Sequence, residues 1–582
     1  MHLLSTSSTL NQVLTNQVIP LRRQLTKLFK KHPTDLQRQN AFRRDAEREF
    51  VKAFTLSIPT ALEKRVFHEK QVIESIRRQL QQDNLILRRT CDEYNTYYLS
   101  DRVEFQMKCL EYMDDHTQCF FKIYGMDESI SEAQHLIEMI KSINSTLNQL
   151  ELKYIIGMDY LNKFKIRDST PLQLPYLYFL PEPNLELSVQ PRFSTWNNSP
   201  IYPLATFLNQ ILRPLFDKYM KDTRLIDGTD LIEKLQHFTL NKRSFTPDTR
   251  FVIYELHHLF LRITHDDLLG ILKRILTRDL AGKRYNGLKQ DGIVELVRVV
   301  LSHLAFTYDG KLYQFSRGGP TNLPLIESLI DIYLQYWQLG FYRHTDRYRQ
   351  FYARYRHTGI FTWNNSDNEL AGYVLELNEQ YPDMPLTLSS GLHVRFLDVY
   401  IENLQGRLLS TVHRDRRRQQ YFLLPYSAKH PRLTHRQWFR FALTRAVQYC
   451  SFAADFQHER LEIELTFLAN GYSLKYVQYL LQQFLRRHPT PKDSFLFNKS
   501  SYDTFRHDIF RYYNARQLQS VDDGNLVQLQ YLFDWGKRHE FNQKFYQLWS
   551  THINADPNFQ KLNLKIILTT KHCYLSNTLL SR

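Results

Sequence analysis

The residues with the clearest chemical potential are one carboxylate and two other polar side chains set beside short apolar runs. Glu255 belongs to the run Phe251–Phe260, and His357 and Thr358 separate two strand-like runs in Phe351–Trp363. Carboxylates are the usual protein ligands of the two Mg²⁺ ions that clamp the attacking and leaving oxygens in phosphoryl transfer. An imidazole nitrogen suits zinc or copper better, and a threonine hydroxyl is a poor magnesium ligand. One carboxylate beside an imidazole and a hydroxyl therefore predicts a poor site for two Mg²⁺ ions.

A strand and a helix with a glycine-rich start are predicted to position these groups. The apolar run that carries Glu255 fits a strand, and Arg317-Gly318 lie in a glycine-rich turn that opens a helix near Leu325. Farther along, apolar and polar residues alternate between positions 386 and 421. This alternation predicts extended structure, with Phe396–Glu402 as the clearest strand.

Helical patterns flank this region on both sides. Residues 1–160 contain long runs poor in glycine and proline and are predicted to be helical. Three leucines follow Pro20 at helical spacing, so Pro20 is expected in the first turn of a helix. Residues 434–486 form a second helical stretch, in which Gly471 marks a turn.

Composition limits the classes to which the chain can belong. Its 582 residues are 43% hydrophobic and 14% aromatic, which suits three or four domains and excludes a disordered chain. The formal net charge of +16 favours a polyanionic partner, with nucleic acid as the first choice and a membrane surface or an acidic protein as the alternatives. The five cysteines form no C-x-x-C pair, and neither a secretory signal nor a membrane-spanning run is found. We therefore expect an intracellular protein with neither a zinc site nor a disulfide framework.

A second candidate site is the basic segment, which we define as Thr411–Arg445. Arginines grip phosphates and interleaved aromatic rings stack on bases in proteins that bind single strands or hybrids. The alternative is an ordinary solvated face whose aromatic rings belong to the core. We predict nucleic-acid contact, centred on the three consecutive arginines that follow Asp415. The basic residues of the segment are Arg414, Arg416, Arg417, Arg418, Lys429, Arg432, Arg436, Arg440 and Arg445.

The order of many short motifs makes the chain resemble the reverse transcriptases of Penelope-like retroelements, which are relatives of telomerase. Runs similar to that family's fingers motifs are Leu174–Glu182, Pro191-Arg192 and Asn198–Ala205. Palm and thumb motifs are matched, in the family's order, by Leu259-Phe260 with Ile263, Tyr313–Leu325, Arg354–Thr358, Phe396–Val399, Tyr426–Pro431, Leu443–Ala446, Cys450-Ser451 and Asn470–Tyr472. The specificity of the resemblance comes from this order, because no single motif is decisive.

The resemblance implies roles for the three polar residues of the first site. Family members hold their Mg²⁺ ions with aspartates at the first palm strand and at a hairpin tip, and these positions correspond here to Glu255, His357 and Thr358. Glutamate reaches farther than aspartate by one methylene, on the order of 1.5 Å. Positioning errors near 1 Å can cost about 10²-fold in rate, so the three positions are expected to be inactive.

Further positions are implied by the same resemblance to contact nucleotide or nucleic acid. Phe260 corresponds to the aromatic gate beside the nucleotide sugar. Arg192 and Arg317-Gly318 fall within matched fingers and palm motifs and are assigned to the same binding role. The fingers carry Glu182, with no nearby lysine, where the family places a cation, so contacts to a triphosphate are not expected.

The implied fold is α+β, with right-hand polymerase-like fingers and palm, a helical thumb that contains a helix-turn-helix-like unit, and an N-terminal helical region. No Gly-Ile-Tyr…Tyr-Ile-Gly pair follows residue 490, which is similar to members that lack this endonuclease and are associated with chromosome ends. The expected segments are 1–160 (helical), 161–250 (fingers-like), 251–425 (reverse-transcriptase-like palm), 426–490 (thumb) and 491–582 (C-terminal extension).

These features predict a catalytically inactive, reverse transcriptase-like protein of retroelement origin that binds RNA, DNA or their hybrid through a basic palm–thumb cleft. No cofactor is expected, and Mg²⁺ is needed only if polymerase activity persists. One alternative is an active RNA-directed DNA polymerase that uses Glu255 with a displaced carboxylate. The other is an interaction scaffold that acts, and self-associates, through the N-terminal helices. No membrane partner is expected, and nucleic-acid binding would place the protein in the nucleus.

Nearby acidic and histidine residues have structural interpretations that we prefer to catalytic ones. Asp266-Asp267 follow a capping position and are predicted to lie in the first turn of a helix, where they favour the helix dipole. Asp346 belongs to a charged loop and is a weak substitute for a lost carboxylate. His257-His258 are adjacent on a strand, point to opposite faces and cannot easily chelate one ion.

Overall fold

The structure is a computed structural model that carries side chains. The chain divides into two compact units: the terminal unit, formed by Met1–Gln79 with Arg511–Arg582, and the central unit, Leu80–Phe510. The structure describes residues 7–571 with internal gaps. The residues outside the description are 1–6, 33, 55–59, 92–96, 118, 124–131, 168–171, 183–186, 241–243, 257–258, 281, 340–349, 381–383, 385, 415–431, 488–498, 523–525, 533–536, 561–563 and 572–582.

Helices supply most of the regular structure in the described residues, and none of them is long and apolar enough to cross a bilayer. In chain order they are α1 (Ser7–Lys31), α2 (Leu36–Phe54), α3 (Thr60–Gln82), α4 (Arg102–Asp115), α5 (Glu132–Leu152), α6 (Met158–Phe164), α7 (Tyr202–Met220), α8 (Gly228–Thr239), α9 (Leu259–Arg262), α10 (His265–Leu280), α11 (Gln290–Leu301), α12 (Pro324–Trp337), α13 (Asp367–Gln380), α14 (Arg432–Tyr449), α15 (Ala453–Ala469), α16 (Leu474–Leu485), α17 (Lys499–Asp522), α18 (Arg538–His552) and α19 (Pro557–Gln560).

The strands are short and belong to several small sheets. In chain order they are β1 (Leu85–Arg89), β2 (Tyr97–Asp101), β3 (Phe120–Lys122), β4 (Leu177–Pro181), β5 (Val189–Phe193), β6 (Arg250–Leu256), β7 (Ala305–Tyr308), β8 (Lys311–Phe315), β9 (Tyr352–Tyr355), β10 (Thr358–Trp363), β11 (Leu386–Gly391), β12 (His393–Phe396), β13 (Val399–Leu404), β14 (Arg407–Val412), β15 (Leu526–Leu532) and β16 (Lys565–Lys571).

The terminal unit packs α1, α2 and α18 against a parallel pair of strands, β15 and β16. Its core is aromatic: the ring of Phe42 lies 5.3 Å, edge to face, from both Phe545 and Trp549. The side chain of Gln24 acts as a strand partner for β15, because it accepts from the backbone N–H of Gln530 at 2.7 Å and donates to its carbonyl at 3.4 Å. Such pairing satisfies backbone groups that an edge strand would otherwise leave open.

The palm sheet of the central unit is antiparallel, with the strand order β11-β6-β10-β9. Successive side chains of a strand point to opposite faces. Val252, Tyr254 and Leu256 of β6 therefore join the main hydrophobic core, to which α7, α10, α11 and α12 contribute. Phe251 faces a second core shared with α8 and β12–β14, and Glu255 continues that second face toward the end of the strand.

Helices α14, α15 and α16 form the thumb, which has a hydrophobic core of its own. Phe439 and Phe467 meet edge to face at 4.8 Å within it, and α17 adds Phe505 to the same core. The fold is therefore α+β with fingers-like hairpins, a palm sheet and a helical thumb, and this sequence prediction is confirmed.

Three details differ from the sequence predictions. The region 1–160 is not wholly helical, since β1, β2 and β3 interrupt it. Pro20 lies inside α1 and not in its first turn, because the helix already begins at Ser7. The predicted strand Phe396–Glu402 is broken by a two-residue turn, in which Leu397 has φ 55° and Phe396 pairs with Val399.

Candidate active site and nucleic-acid interface

Strand pairing brings Glu255, His357 and Thr358 together at one end of the palm sheet. Thr358 of β10 lies opposite Glu255 of β6, and Thr387 of β11 lies opposite Glu255 on the other side. Nε2 of His357 is 3.7 Å from Oε1 of Glu255, and the two side chains are 41% and 50% exposed. The three residues to which the resemblance assigns the lost aspartates therefore occupy one solvent-accessible place.

The hairpin between β9 and β10 fixes this arrangement. Its two-residue tip is Arg356-His357, and Arg356 adopts the left-handed region with φ 51°. The carbonyl of His357 accepts from the backbone N–H of Leu256 at 3.0 Å, which ties the tip to β6. The hydroxyl of Thr358 donates to the carbonyl of Tyr355 at 3.0 Å. Thr358 thus directs its hydroxyl hydrogen into the hairpin and offers an ion at most one neutral oxygen.

This donor set does not fit a pair of Mg²⁺ ions. Mg²⁺ requires nearly octahedral oxygen ligands, and two ions need shared carboxylates to balance their charge. The tip supplies the carboxylate of Glu255, an imidazole and a hydroxyl that is already bonded to the backbone. Across the part of the chain that the structure describes, no group of three or more His, Cys, Asp or Glu residues is placed to hold a metal ion.

The acidic pair that follows β6 belongs to the start of a helix. Asp266 and Asp267 lie in the first turn of α10, as the sequence predicted. The hydroxyl of Thr264 accepts from the backbone N–H of Asp267 at 3.1 Å and donates to its carboxylate at 2.5 Å, so the helix start is capped reciprocally. Asp346 and the pair His257-His258, which the sequence also raised, lie outside the described residues.

An ion network behind the hairpin tip was not recognised from the sequence. Arg354, which the resemblance places in the tip motif, is only 1% exposed and contacts Oδ1 of Asp331 on α12 at 3.2 Å. Arg213 of α7 contacts the other carboxylate oxygen at 3.1 Å. Arg354 also donates to the carbonyl of Arg356 at 2.5 Å. The network therefore links the tip to two helices of the main core.

A pair of buried tyrosines lies beside this network. The hydroxyls of Tyr254 and Tyr352 are 2.7 Å apart, and a Cβ added at Gly359 would overlap the Tyr254 ring. Burial raises the pKa of Tyr254 to about 12, against a lowering influence of Arg354. Burial also raises the pKa of Tyr352 well above its ordinary value, so both phenols stay protonated and act as packing residues.

Two predicted nucleotide-site residues, Phe260 and Gly318, are brought together by backbone contacts. Gly318 has φ +55°, and a Cβ at this position would overlap the carbonyl oxygen of Phe260. Its N–H donates to the carbonyl of Ile263 at 2.7 Å, and the N–H of Gly319 donates to the carbonyl of Phe260 at 2.9 Å. His265 lies at hydrogen-bond distance, 3.0 Å, from the Gly318 carbonyl. Only glycine fits here, which explains the glycine-rich turn as a packing requirement.

The described part of the basic segment is tied into the structure through acidic residues outside the segment. Arg414 makes a bidentate contact with Glu459 of α15, with Nη2 2.6 Å and Nε 2.9 Å from its oxygens. Arg445 contacts Asp398 at 3.1 Å. The Glu459 side chain is only 7% exposed, so Arg414 serves chiefly to neutralise a buried carboxylate.

The other predicted binding residues are placed as follows. Arg192 on β5, Arg317 beside the glycine turn and Arg436 on α14 are each partly exposed. Arg432 is the first residue of α14. Arg416, Arg417, Arg418 and Lys429 lie outside the described residues.

Two aromatic rings of the basic segment belong to the thumb core. Phe439 is 1% exposed, and Trp438 stacks on Phe467 with ring centroids 4.3 Å apart. Phe439 is therefore unavailable for stacking on a base, and Phe467 covers one face of Trp438. The hydroxyl of Tyr472 contacts Nδ1 of His435, which joins the turn before α16 to α14.

Comparison with known proteins supports the helix-turn-helix prediction. Residues 422–482 match the family model described as the animal helix-turn-helix domain. Within that range, α14, α15 and α16 are three consecutive helices around a shared core, and a turn at Gly471, with φ 85°, joins the last two. No curated protein sequence matches the chain.

Solved structures with a similar arrangement include polymerases of two kinds. Telomerase from Candida albicans in complex with the TWJ fragment of telomeric RNA is 9% identical, with a TM-score of 0.46 over 91% of this chain and 81% of that chain. Telomerase from Candida tropicalis with the same fragment is 10% identical, with a TM-score of 0.42 over 79% and 70%. The sicinivirus 3Dpol RNA-dependent RNA polymerase is 11% identical, with a TM-score of 0.33 over 60% and 71%.

Proposed function

We propose that the chain is a reverse transcriptase-like protein of retroelement origin, of the Penelope-like kind, that binds RNA, DNA or their hybrid without polymerising nucleotides. One observation carries the proposal. At the end of the palm sheet, Glu255 faces His357 at 3.7 Å and Thr358 across the strand pair, so a single carboxylate stands where two metal ions need several.

Electrostatics strengthens this argument. A single carboxylate cannot offset the charge of two divalent cations, and an imidazole beside it offers a nitrogen ligand or, when protonated, a positive charge that repels them. The hydroxyl hydrogen of Thr358 is committed to the Tyr355 carbonyl. Asp267 exchanges hydrogen bonds with the hydroxyl of Thr264 at the start of α10. Its carboxylate is therefore engaged in the helix cap and is not a displaced metal ligand.

Binding of nucleic acid is proposed from charge and from the thumb. The chain carries 76 Lys and Arg against 60 Asp and Glu, and a basic protein releases counterions when it contacts phosphates. We assign the contact to the predicted binding residues of the fingers, palm and thumb, leaving out Arg414 because it neutralises the buried Glu459, and we place the activity in the nucleus. These residues are Arg192, Phe260, Arg317, Arg416, Arg417, Arg418, Lys429, Arg432 and Arg436.

Primer extension tests the absence of polymerisation. The purified chain is incubated with a labelled DNA primer on an RNA or a DNA template, with all four nucleotides and either Mg²⁺ or Mn²⁺. We expect no extension above that of the Glu255→Ala variant. Extension by the unmodified chain that Glu255→Ala abolishes would instead establish the alternative, an active polymerase built on Glu255.

Salt-dependent binding tests the second half of the proposal. Affinity for an RNA–DNA hybrid is expected to fall steeply between about 50 and 200 mM salt. Changing Arg416, Arg417 and Arg418 to glutamate should weaken binding and flatten the salt dependence, since each lost phosphate contact removes a slope of about 0.7 to 0.9. A matched variant with three glutamates at the exposed α2 positions Arg44, Arg48 and Lys52 serves as the control. Equal affinity of the two variants would overturn the assigned surface.

A further inference from the structure

A cavity of about 410 Å³ lies in the central unit. None of its lining residues belongs to β6, β9 or β10, the strands that form the hairpin tip site. Its volume is within the range of about 300–1,000 Å³ that is typical of small-molecule sites. The walls come from strand β1, helix α4, strand β4 and the turn between β7 and β8. We call it the hairpin–helix cavity, because the β1–β2 hairpin leads directly into α4.

Two guanidinium groups line this cavity. Arg88 lies on β1, two residues after the lining residue Ile86 and on the same face of the strand, and Arg102 is the first residue of α4. Within the described residues, neither side chain forms an ion pair with a carboxylate. Two arginines on the wall of a cavity favour an anionic ligand, and a phosphate accepts from such forks at several oxygens.

Aromatic side chains also line this cavity. Phe179 of β4 is held edge to face by Tyr308 at 5.5 Å and by Tyr112 at 5.4 Å, and Tyr178 also lines the cavity. Asp309, which adopts φ 48° in the β7–β8 turn, also lines the cavity. Aromatic faces favour a planar ring, and a carboxylate accepts from ring or exocyclic N–H groups and from sugar hydroxyls.

We propose that the hairpin–helix cavity binds a nucleoside phosphate, with Arg88 and Arg102 on the phosphate and with Phe179 and Tyr308 beside the base. Such a ligand combines a dianion for the arginines, a planar ring for the aromatic lining and hydrogen-bond donors for Asp309. It is available as a free mononucleotide or as the 5′-phosphorylated end of a strand, and the cavity chemistry is shared by both. None of the lining residues is one that we assign to the palm tip or to nucleic-acid contact under the proposed function.

Cys109 is an apolar lining residue of the cavity. Its side chain lines the cavity and is 4% exposed. Burial raises the pKa of this thiol to about 12, with Arg88 acting in the opposite direction. The thiol therefore remains protonated at neutral pH and contributes to the cavity as an apolar group, not as a nucleophile.

Isothermal titration calorimetry with AMP, adenosine and inorganic phosphate tests the proposal on the full chain. AMP is expected to bind at least about tenfold more tightly than adenosine or phosphate, because each of these keeps only half of the contacts. Arg88→Gln should weaken AMP binding by about tenfold or more. Arg89→Gln is the matched control, since Arg89 follows on the same strand with its side chain on the opposite face.

A second pair of variants addresses the cavity without removing charge. Gln106→Trp places a bulky ring at a solvent-exposed lining position of α4 and should block binding, whereas Met107→Trp, at an exposed position outside the lining, should not. Two oligonucleotides, with and without a 5′-phosphate, are then tested as competitors of AMP. Stronger competition by the phosphorylated form identifies a strand end as the ligand. AMP binding that neither oligonucleotide displaces identifies the free nucleotide as the ligand. No binding of AMP, unchanged binding by both Arg88→Gln and Gln106→Trp, or phosphate binding as tight as AMP would each overturn the proposal. None of these outcomes depends on primer extension or on the salt-dependent hybrid binding.

Discussion

Replacing Asp331 with asparagine tests whether the buried ion network supports the hairpin tip. The Asp331 carboxylate is 6% exposed and lies 3.2 Å from Arg354, which is 1% exposed. At that distance and an effective dielectric of about 20, the attraction is about 5 kcal/mol. The substitution removes this charge and leaves Arg354 buried without a carboxylate. Breaking a buried pair in this way costs about 3–5 kcal/mol of unfolding free energy.

Asp217→Asn provides a closely matched control. Asp217 contacts Arg213 at 2.8 Å and Arg224 at 3.0 Å, and both arginines also lie near Asp331, but the Asp217 side chain is 49% exposed. An exposed pair of this kind contributes only about 0–1 kcal/mol.

Hydrogen exchange measured by mass spectrometry in increasing urea reports on β6 and β10 separately from the terminal unit. We expect Asp331→Asn to expose these strands at clearly lower urea than Asp217→Asn. Adding Arg354→Met to Asp331→Asn should recover part of the loss, because it removes the stranded charge. Equal effects of Asp331→Asn and Asp217→Asn would refute the reasoning.

Two further predictions concern the glycine turn. Gly318→Ala should cost about 1–3 kcal/mol or more, since the added Cβ meets the Phe260 carbonyl in a left-handed backbone. Gly270→Ala, in the interior of α10 with open space around it, should instead stabilise by up to about 1 kcal/mol, and thermal unfolding compares the two. Burial lowers the pKa of His265, so below its ordinary pKa of about 6.5 the unfolded chain takes up a proton that the folded chain refuses. Stability should therefore fall as the pH drops from 7.5 to 5.5, and His265→Asn should reduce this dependence. An unchanged slope in His265→Asn would contradict the assignment.

The shared position of Glu255, His357 and Thr358 was implied by the family resemblance, which assigns all three to the positions of metal-binding aspartates. The pairing of β6 with β10 and the 3.7 Å contact between His357 and Glu255 bring them together. The first turn of α10 was predicted directly from the residues, since a capping hydroxyl and acidic residues are adjacent in the chain. Such a helix start depends on short-range chemistry that can be read from the sequence.

Features that depend on distant partners could not be predicted in this way. Arg414 was read as a phosphate contact because its segment holds few acids, but its partner Glu459 comes from another helix. Arg354 was treated as part of a tip motif, and its burial against Asp331 follows only from how α12 packs on the sheet. The break at Leu397 was missed because a leucine with φ 55° gives no turn signal in the sequence.

The central claim is that the palm tip does not hold a pair of divalent ions, and direct Mn²⁺ binding tests it. Electron paramagnetic resonance counts free Mn²⁺ as the ion is titrated into the unmodified chain, into Glu255→Ala and into a triple variant with aspartate at positions 255, 357 and 358. We expect the unmodified chain and Glu255→Ala to bind equally little, and the triple variant to gain Mn²⁺ binding. Two Mn²⁺ ions bound by the unmodified chain and lost in Glu255→Ala would contradict the account.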